Sequence, residues 1–122
     1  MAKVLIVEDN ENNMELISFI LEVNGEETIK AVNGLSGVEK ALNEKPDYII
    51  LDIQLPDIDG LEVLKRVRAS EEGKDIPVIA MTSYAMSGDK ERMIKAGCNG
   101  YIEKPIDPER VISQIHKILE KS

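Results

Sequence analysis

The stretch YIILDIQLPD (48–57) climbs through Tyr48, Ile49, Ile50 and Leu51 and then presents Asp52, a carboxylate that weakens a strand and that no turn requires. Polar residues punctuate the other apolar runs too. Glu8 and Asp9 follow VLIV (4–7), Thr82 and Ser83 follow PVIAM (77–81), and Glu103, Lys104 and Pro105 follow GYI (100–102). Carboxylates brought together repel, and in isolation at least one resists ionisation. A divalent cation relieves that repulsion, and oxygen ligands with no His or Cys beside them suit Mg²⁺, or Mn²⁺. A carboxylate is also a nucleophile towards phosphorus, giving an aspartyl phosphate. Cation and ammonium would neutralise the transferring phosphoryl group, and Thr82 could donate to one of its oxygens. On this reading Asp52 stands exposed at a strand end in order to be attacked from outside. Taken singly each residue has an ordinary explanation: Asp9 starts a helix, Lys104 is a surface lysine, Thr82 a loop hydroxyl. Their recurrence at matching strand ends argues against coincidence.

That convergence requires a fold that collects strand ends. Short apolar runs alternate with helix-period segments along the chain. After VLIV, the segment ENNMELISFILEV places Met14, Ile17, Ile20 and Leu21 on one face, with Gly25 as a stop. ETIKAV is the weakest strand, alternating rather than continuous. GLSGVEKALNE carries Leu35, Val38 and Leu42 at helical spacing, and Leu61, Leu64 and Val67 mark a third helix. A fourth is expected from about Ser87 to Ala96 with Gly97 after it. Asp107 is expected to cap the last, with Pro108 at its first position and Val111, Ile112, Ile115, Ile118 and Leu119 inside. Five βα units in succession predict an α/β, doubly wound parallel sheet with helices on both faces. In such a sheet ligands bind at the edge where the strand C-termini lie.

Composition narrows the function. With 122 residues, 43% hydrophobic and 31% charged, the chain reads as one globular domain over 1–122. Its apolar runs are too short to cross a bilayer, and its acidic start reads as a mature cytoplasmic one. A net charge of −8 opposes nucleic-acid wrapping, and Phe19, Tyr48, Tyr84 and Tyr101 are too few for a base-stacking platform. Cys98 is expected to be a small buried residue near a strand start, and His116, the single histidine, an ordinary partly exposed one.

The stretches VLIVEDN, ILDIQLPDIDGLEVL, PVIAMTSYA and GYIEKP resemble the receiver domains of two-component response regulators, the CheY-like family, over essentially the whole chain. AMTSYAMSGDKERMIKAGCNGYIEKPI is similar to the stand-alone DivK type and to receivers of hybrid kinases. The resemblance implies the flavodoxin-like strand order 2-1-3-4-5 and a phosphoacceptor at Asp52. It implies Mg²⁺ ligation by Glu8, Asp9, Asp52 and the backbone carbonyl of Gln54, with Asp9 the direct ligand of the acid pair. Glu8, longer than the aspartate often found there, would reach the cation through water. Thr82 and Tyr101 would form the switch pair, and Lys104, before a cis bond to Pro105, would contact the phosphoryl group. The donor would be a phosphohistidine on a kinase or phosphotransfer protein. The output would be a changed docking face on the fourth helix, fifth strand and fifth helix of a monomer or weak dimer. Gln54 and Tyr84, both bulky, occupy positions that tune phosphate loss and imply slow self-dephosphorylation.

Rival chemistries fit less well. A haloacid-dehalogenase-type phosphatase needs a general acid where Gln54 stands, and a nucleotide or flavin binder needs glycines where the first loop reads EDNENN. A scaffold with a dead site leaves the complete constellation unexplained. Met1 lies three residues before the first strand and Lys121 and Ser122 follow the last helical turn, so the chain is expected to signal by docking if complete, or to be an excised receiver.

Overall fold

The computed structural model describes residues 2–82 and 88–121, and Asp89 by its backbone alone. Its elements alternate along the chain: β1 (Lys3–Val7), α1 (Glu11–Val23), β2 (Glu27–Ala31), α2 (Gly34–Glu44), β3 (Tyr48–Asp52), α3 (Gly60–Ala69), β4 (Val78–Thr82), α4 (Asp89–Lys95), β5 (Gly100–Glu103) and α5 (Val111–Glu120). The strands form one parallel sheet in the order β2-β1-β3-β4-β5.

The apolar runs explain that order. Every residue of β3 and β4 is buried, as a strand covered on both faces demands. The alternating β2 takes an edge. Successive strand residues face opposite ways, so the core divides into two layers. Leu5, Val7, Ile49, Leu51, Val78 and Ala80 pack with Val63, Leu64 and Val67 of α3. Val4, Ile6, Ile50, Ile79 and Met81 pack with Ile17 and Leu21 of α1 and Ile115 of α5.

Two helices differ from expectation. Leu35 in α2 is 52% exposed, while the buried face is Gly34, Gly37 and Ala41. The cause is proximity: a Cβ on Gly37 would lie 2.9 Å from the Val7 side chain, so a small-residue face seats α2 on β1. In the last helix Asp107 and Pro108 precede the regular turns. The Asp107 carbonyl accepts from Arg110 and Val111 N–H, forming an entry turn, and α5 proper begins at Val111. Gly25 ends α1 as expected, at φ +89°. The expected start of α4 at Ser87 lies outside the described residues.

Because α2 has no room to retreat from Val7, Gly37→Val should lower the unfolding free energy by about 1–3 kcal/mol, even though it replaces a helix-weakening glycine. Urea denaturation checks this. An unchanged midpoint would mean that α2 shifts freely on the sheet.

Candidate functional site

Strand register assembles the site. Val7 lies level with Leu51, so Glu8 emerges beside Asp52. Asp52 lies level with Met81, which places Thr82 one residue beyond it, and Thr82 lies level with Glu103, so Lys104 follows. The Lys104 N–H donates to the Thr82 carbonyl at 2.7 Å, continuing the ladder past the strand.

Glu8 and Asp52 are 2% and 5% exposed, so Asp52 is the last residue of β3 and lies buried, contrary to the exposed carboxylate expected from sequence. The walls of the cleft provide the physical reason: α1's N-terminus and the Lys104–Pro105 segment rise around the strand ends. A cavity of about 810 Å³ opens there, lined by Glu8, Asp9, Asn10, Asp52, Gln54 and Lys104 among others. Thr82 is buried and does not line it. The Lys104–Pro105 peptide is cis.

One cation serves two anions. Lys104 Nζ stands 2.8 Å from Glu8 Oε1 and 3.3 Å from Asp52 Oδ2. Burial pulls its ammonium down, but contacts with Glu8 and Asp52 outweigh this and raise it overall. Asp52 is pushed up to about 6 by burial first and then by the negative charge of Glu8, against the pull of Lys104 and the Gln54 N–H. The site therefore holds more negative charge than Lys104 neutralises. Glu8 Oε1 also accepts no aligned hydrogen bond despite its charge contact.

Glu8, Asp9 and Asp52 each offer an oxygen within 4.8 Å of the others, and Asp9 is exposed to the cleft. This donor set fits a hard divalent cation: all its ligand atoms are oxygen, and its charge is net negative. Asn10 shapes the approach, its N–H donating to Glu8 Oε2 and its side chain capping α1 at Asn13.

Tyr101 sits apart from the carboxylates. Its hydroxyl donates to Glu103 Oε1 at 3.1 Å, and Lys90 of α4 stands 5.2 Å from its ring centroid, within cation–π range. Ser83 and Tyr84 lie outside the described residues. Cys98 is buried next to β5, its thiol against the Gly100 carbonyl, and His116 is exposed on α5.

Residues 4–116 match the response regulator receiver domain family. The chain belongs to that family. It is 48% identical over 116 residues to the polar-differentiation response regulator DivK of Brucella anthropi, covering 95% of this chain and 94% of that one. The DivK of Brucella ovis matches to the same extent. Among solved structures, Vibrio cholerae chemotaxis protein CheY4 superposes with a TM-score of 0.91 at 30% identity, covering 97% and 98% of the two chains. The receiver domain of Pseudomonas aeruginosa sensor histidine kinase PA1611, solved with magnesium coordinated in its active site cleft, superposes at 0.89 with 31% identity and 98% coverage of both. Receivers act in two-component signalling, take a phosphoryl group on an aspartate, and bind Mg²⁺ at an acidic pocket. This receiver presents such a pocket.

Sequence reasoning passed over two residues around this receiver's cleft. Gly60, the first residue of α3, lies so close beneath Asp52 that a Cβ would stand 2.5 Å from its carbonyl oxygen. Its position in PDIDGL was the available signal. Asp57 carried no signal of its contact with α2, which is made across 22 and 23 residues.

The raised pKa of Asp52 has a stability consequence of definite sign. Asp52 titrates higher in the folded protein than an ordinary aspartate does, so ionising it removes stability as pH rises from the usual carboxylate range through about 6. Asp52→Asn in chelator should therefore stabilise the fold at about pH 7, by at most about 3 kcal/mol, and the gain should vanish below about pH 4. Urea unfolding of both proteins across this range is the test. A gain independent of pH would assign the effect to something other than the charge.

Proposed function

We propose that residues 1–122 form a receiver module in which Asp52 accepts a phosphoryl group from a phosphohistidine on a kinase or phosphotransfer protein. The observation that carries this is the burial of Asp52 against Glu8 under one shared ammonium, at the floor of an open acidic cleft. An Asp52 carboxylate oxygen attacks phosphorus, the P–N bond breaks, and the electron pair leaves with the imidazole nitrogen. Lys104 is held where it can pair with the new phosphoryl oxygens. Glu8, Asp9, Asp52 and the Gln54 carbonyl would hold Mg²⁺, with Mn²⁺ an alternative. When bound, the cation supplies charge neutralisation for the transferring group.

The proposed response runs through Thr82 and Tyr101. A dianion on Asp52 attracts the Thr82 hydroxyl, and Tyr101 leaves Glu103 and turns inward behind it. Tyr101 lies on β5 beside Lys90 of α4, and Ile94 of α4 is 48% exposed. This supports an output face on α4, β5 and α5 that docks a downstream protein. Among the described residues no helix is long and apolar enough to cross a membrane. We place the module in the cytoplasm, as a monomer or weak dimer that catalyses only its own phosphorylation and dephosphorylation.

Incubation with acetyl phosphate and Mg²⁺ should add one hydroxylamine-labile phosphoryl group by intact mass. Asp52→Ala or EDTA should abolish the gain, and labelling of Asp52→Ala would rule out this phosphoacceptor. The slow decay expected from Gln54 and Tyr84 has its own test: replacing both by Ala should shorten the lifetime of the phosphorylated form. An unchanged lifetime would remove that role from them.

A further inference from the structure

We infer that Asp57 is a positioning residue: its carboxylate bridges the first two N–H groups of α2 and thereby holds the β3–α3 loop so that Gln54 faces the acid pair across the cleft. The inference rests on reading that cleft as a cation site. Asp57 Oδ1 accepts from Gly34 N at 2.7 Å and Oδ2 from Leu35 N at 2.8 Å. A helix N-terminus leaves its first N–H groups without partners in the helix, and they favour a negative charge. Asn33 serves Ser36 from within the segment. The Gly34 and Leu35 groups are served from a loop more than twenty residues away.

Two further contacts give this bridge a purpose at the site. The loop approaches closely because Gly34 has no side chain, since a Cβ there would stand 2.8 Å from the Ile58 carbonyl oxygen. At its next turn α2 rests on Val7 through Gly37, without slack, and Val7 directly precedes Glu8. So α2 is in register with the strand that presents Glu8 and Asp9, and Asp57 passes that register to the loop that presents Gln54. Of the loop's other hydrogen bonds, Gly60 N to Ile53 O and Asp59 to Glu62 N stay within the loop and α3, and Ile53 N to Met81 O and Gln54 N to Asp52 Oδ1 tie its start to β4 and β3, whereas the Asp57 carboxylate ties its far part to α2.

Because both residues cap α2 but only Asp57 belongs to the loop, Asn33→Ala separates helix stability from positioning. Mg²⁺ affinity is read by titration calorimetry on the full chain, and stability by thermal melting. Asp57→Ala should weaken Mg²⁺ binding by about tenfold, the low end for residues that orient ligands. Asp57→Glu, which keeps both acceptor oxygens, should recover most of the loss. Asn33→Ala should lower the melting temperature and leave Mg²⁺ affinity unchanged. Equal affinity in Asp57→Ala and wild type overturns the tether, as does an equal loss in Asn33→Ala. Wild type that binds no Mg²⁺ overturns the cation-site reading and the tether together.

Discussion

Two carboxylates, Glu8 and Asp52, are buried at the end of the sheet and share the single ammonium of Lys104. Burying like charges opposes folding, and one ammonium offsets only part of that cost. The arrangement persists because the sheet on either side leaves these residues no alternative position. Glu8 follows Val7 and Asp52 follows Leu51, and Val7 and Leu51 are register partners in the centre of the sheet. Lys104 is held by its own backbone bond to Thr82. The rest of the fold supplies the rigidity that keeps this excess of negative charge in one place.

That rigidity comes as much from missing side chains as from large ones. Gly37 lets α2 sit against Val7, Gly34 admits the β3–α3 loop, and Gly60 lets α3 begin under Asp52. Each contact lies within a residue or a few of a cleft residue. Close backbone approach at these points converts ordinary helix–sheet packing into fixed loop positions, because a tightly packed interface cannot deform gradually.

The side of the cleft towards β5 is held differently. Tyr101 is engaged by Glu103 and by Lys90 at the surface, through one hydrogen bond and one cation–π contact, both of the weak, solvent-accessible kind. Such contacts exchange easily, whereas Glu8, Asp52 and Lys104 are locked. The molecule thus joins a buried acidic floor to a half-buried aromatic residue that packs on the core and makes its polar contacts at the surface.

Much of this was legible in the chain itself. Continuous apolar runs at 4–7, 48–51 and 77–81 determined a parallel, doubly covered sheet, since only such strands bury both faces. Once the strands are parallel, the residues that follow them must share an edge, so Glu8, Asp9, Asp52 and Lys104 could be gathered from sequence positions alone. What sequence could not supply was depth and distance. Asp52 looked exposed because a polar residue after an apolar run usually is, and only the walls raised by α1 and the Lys104–Pro105 segment bury it. Leu35 looked like the inner face of α2 because pattern reading weighs large apolar residues, whereas proximity to Val7 selected Gly34, Gly37 and Ala41. Asp57 read as one more loop acid, and its bond to the start of α2 spans a separation that no local pattern records. Periodicity reports which way a residue faces along its own element. Tertiary packing alone decides how close another element comes.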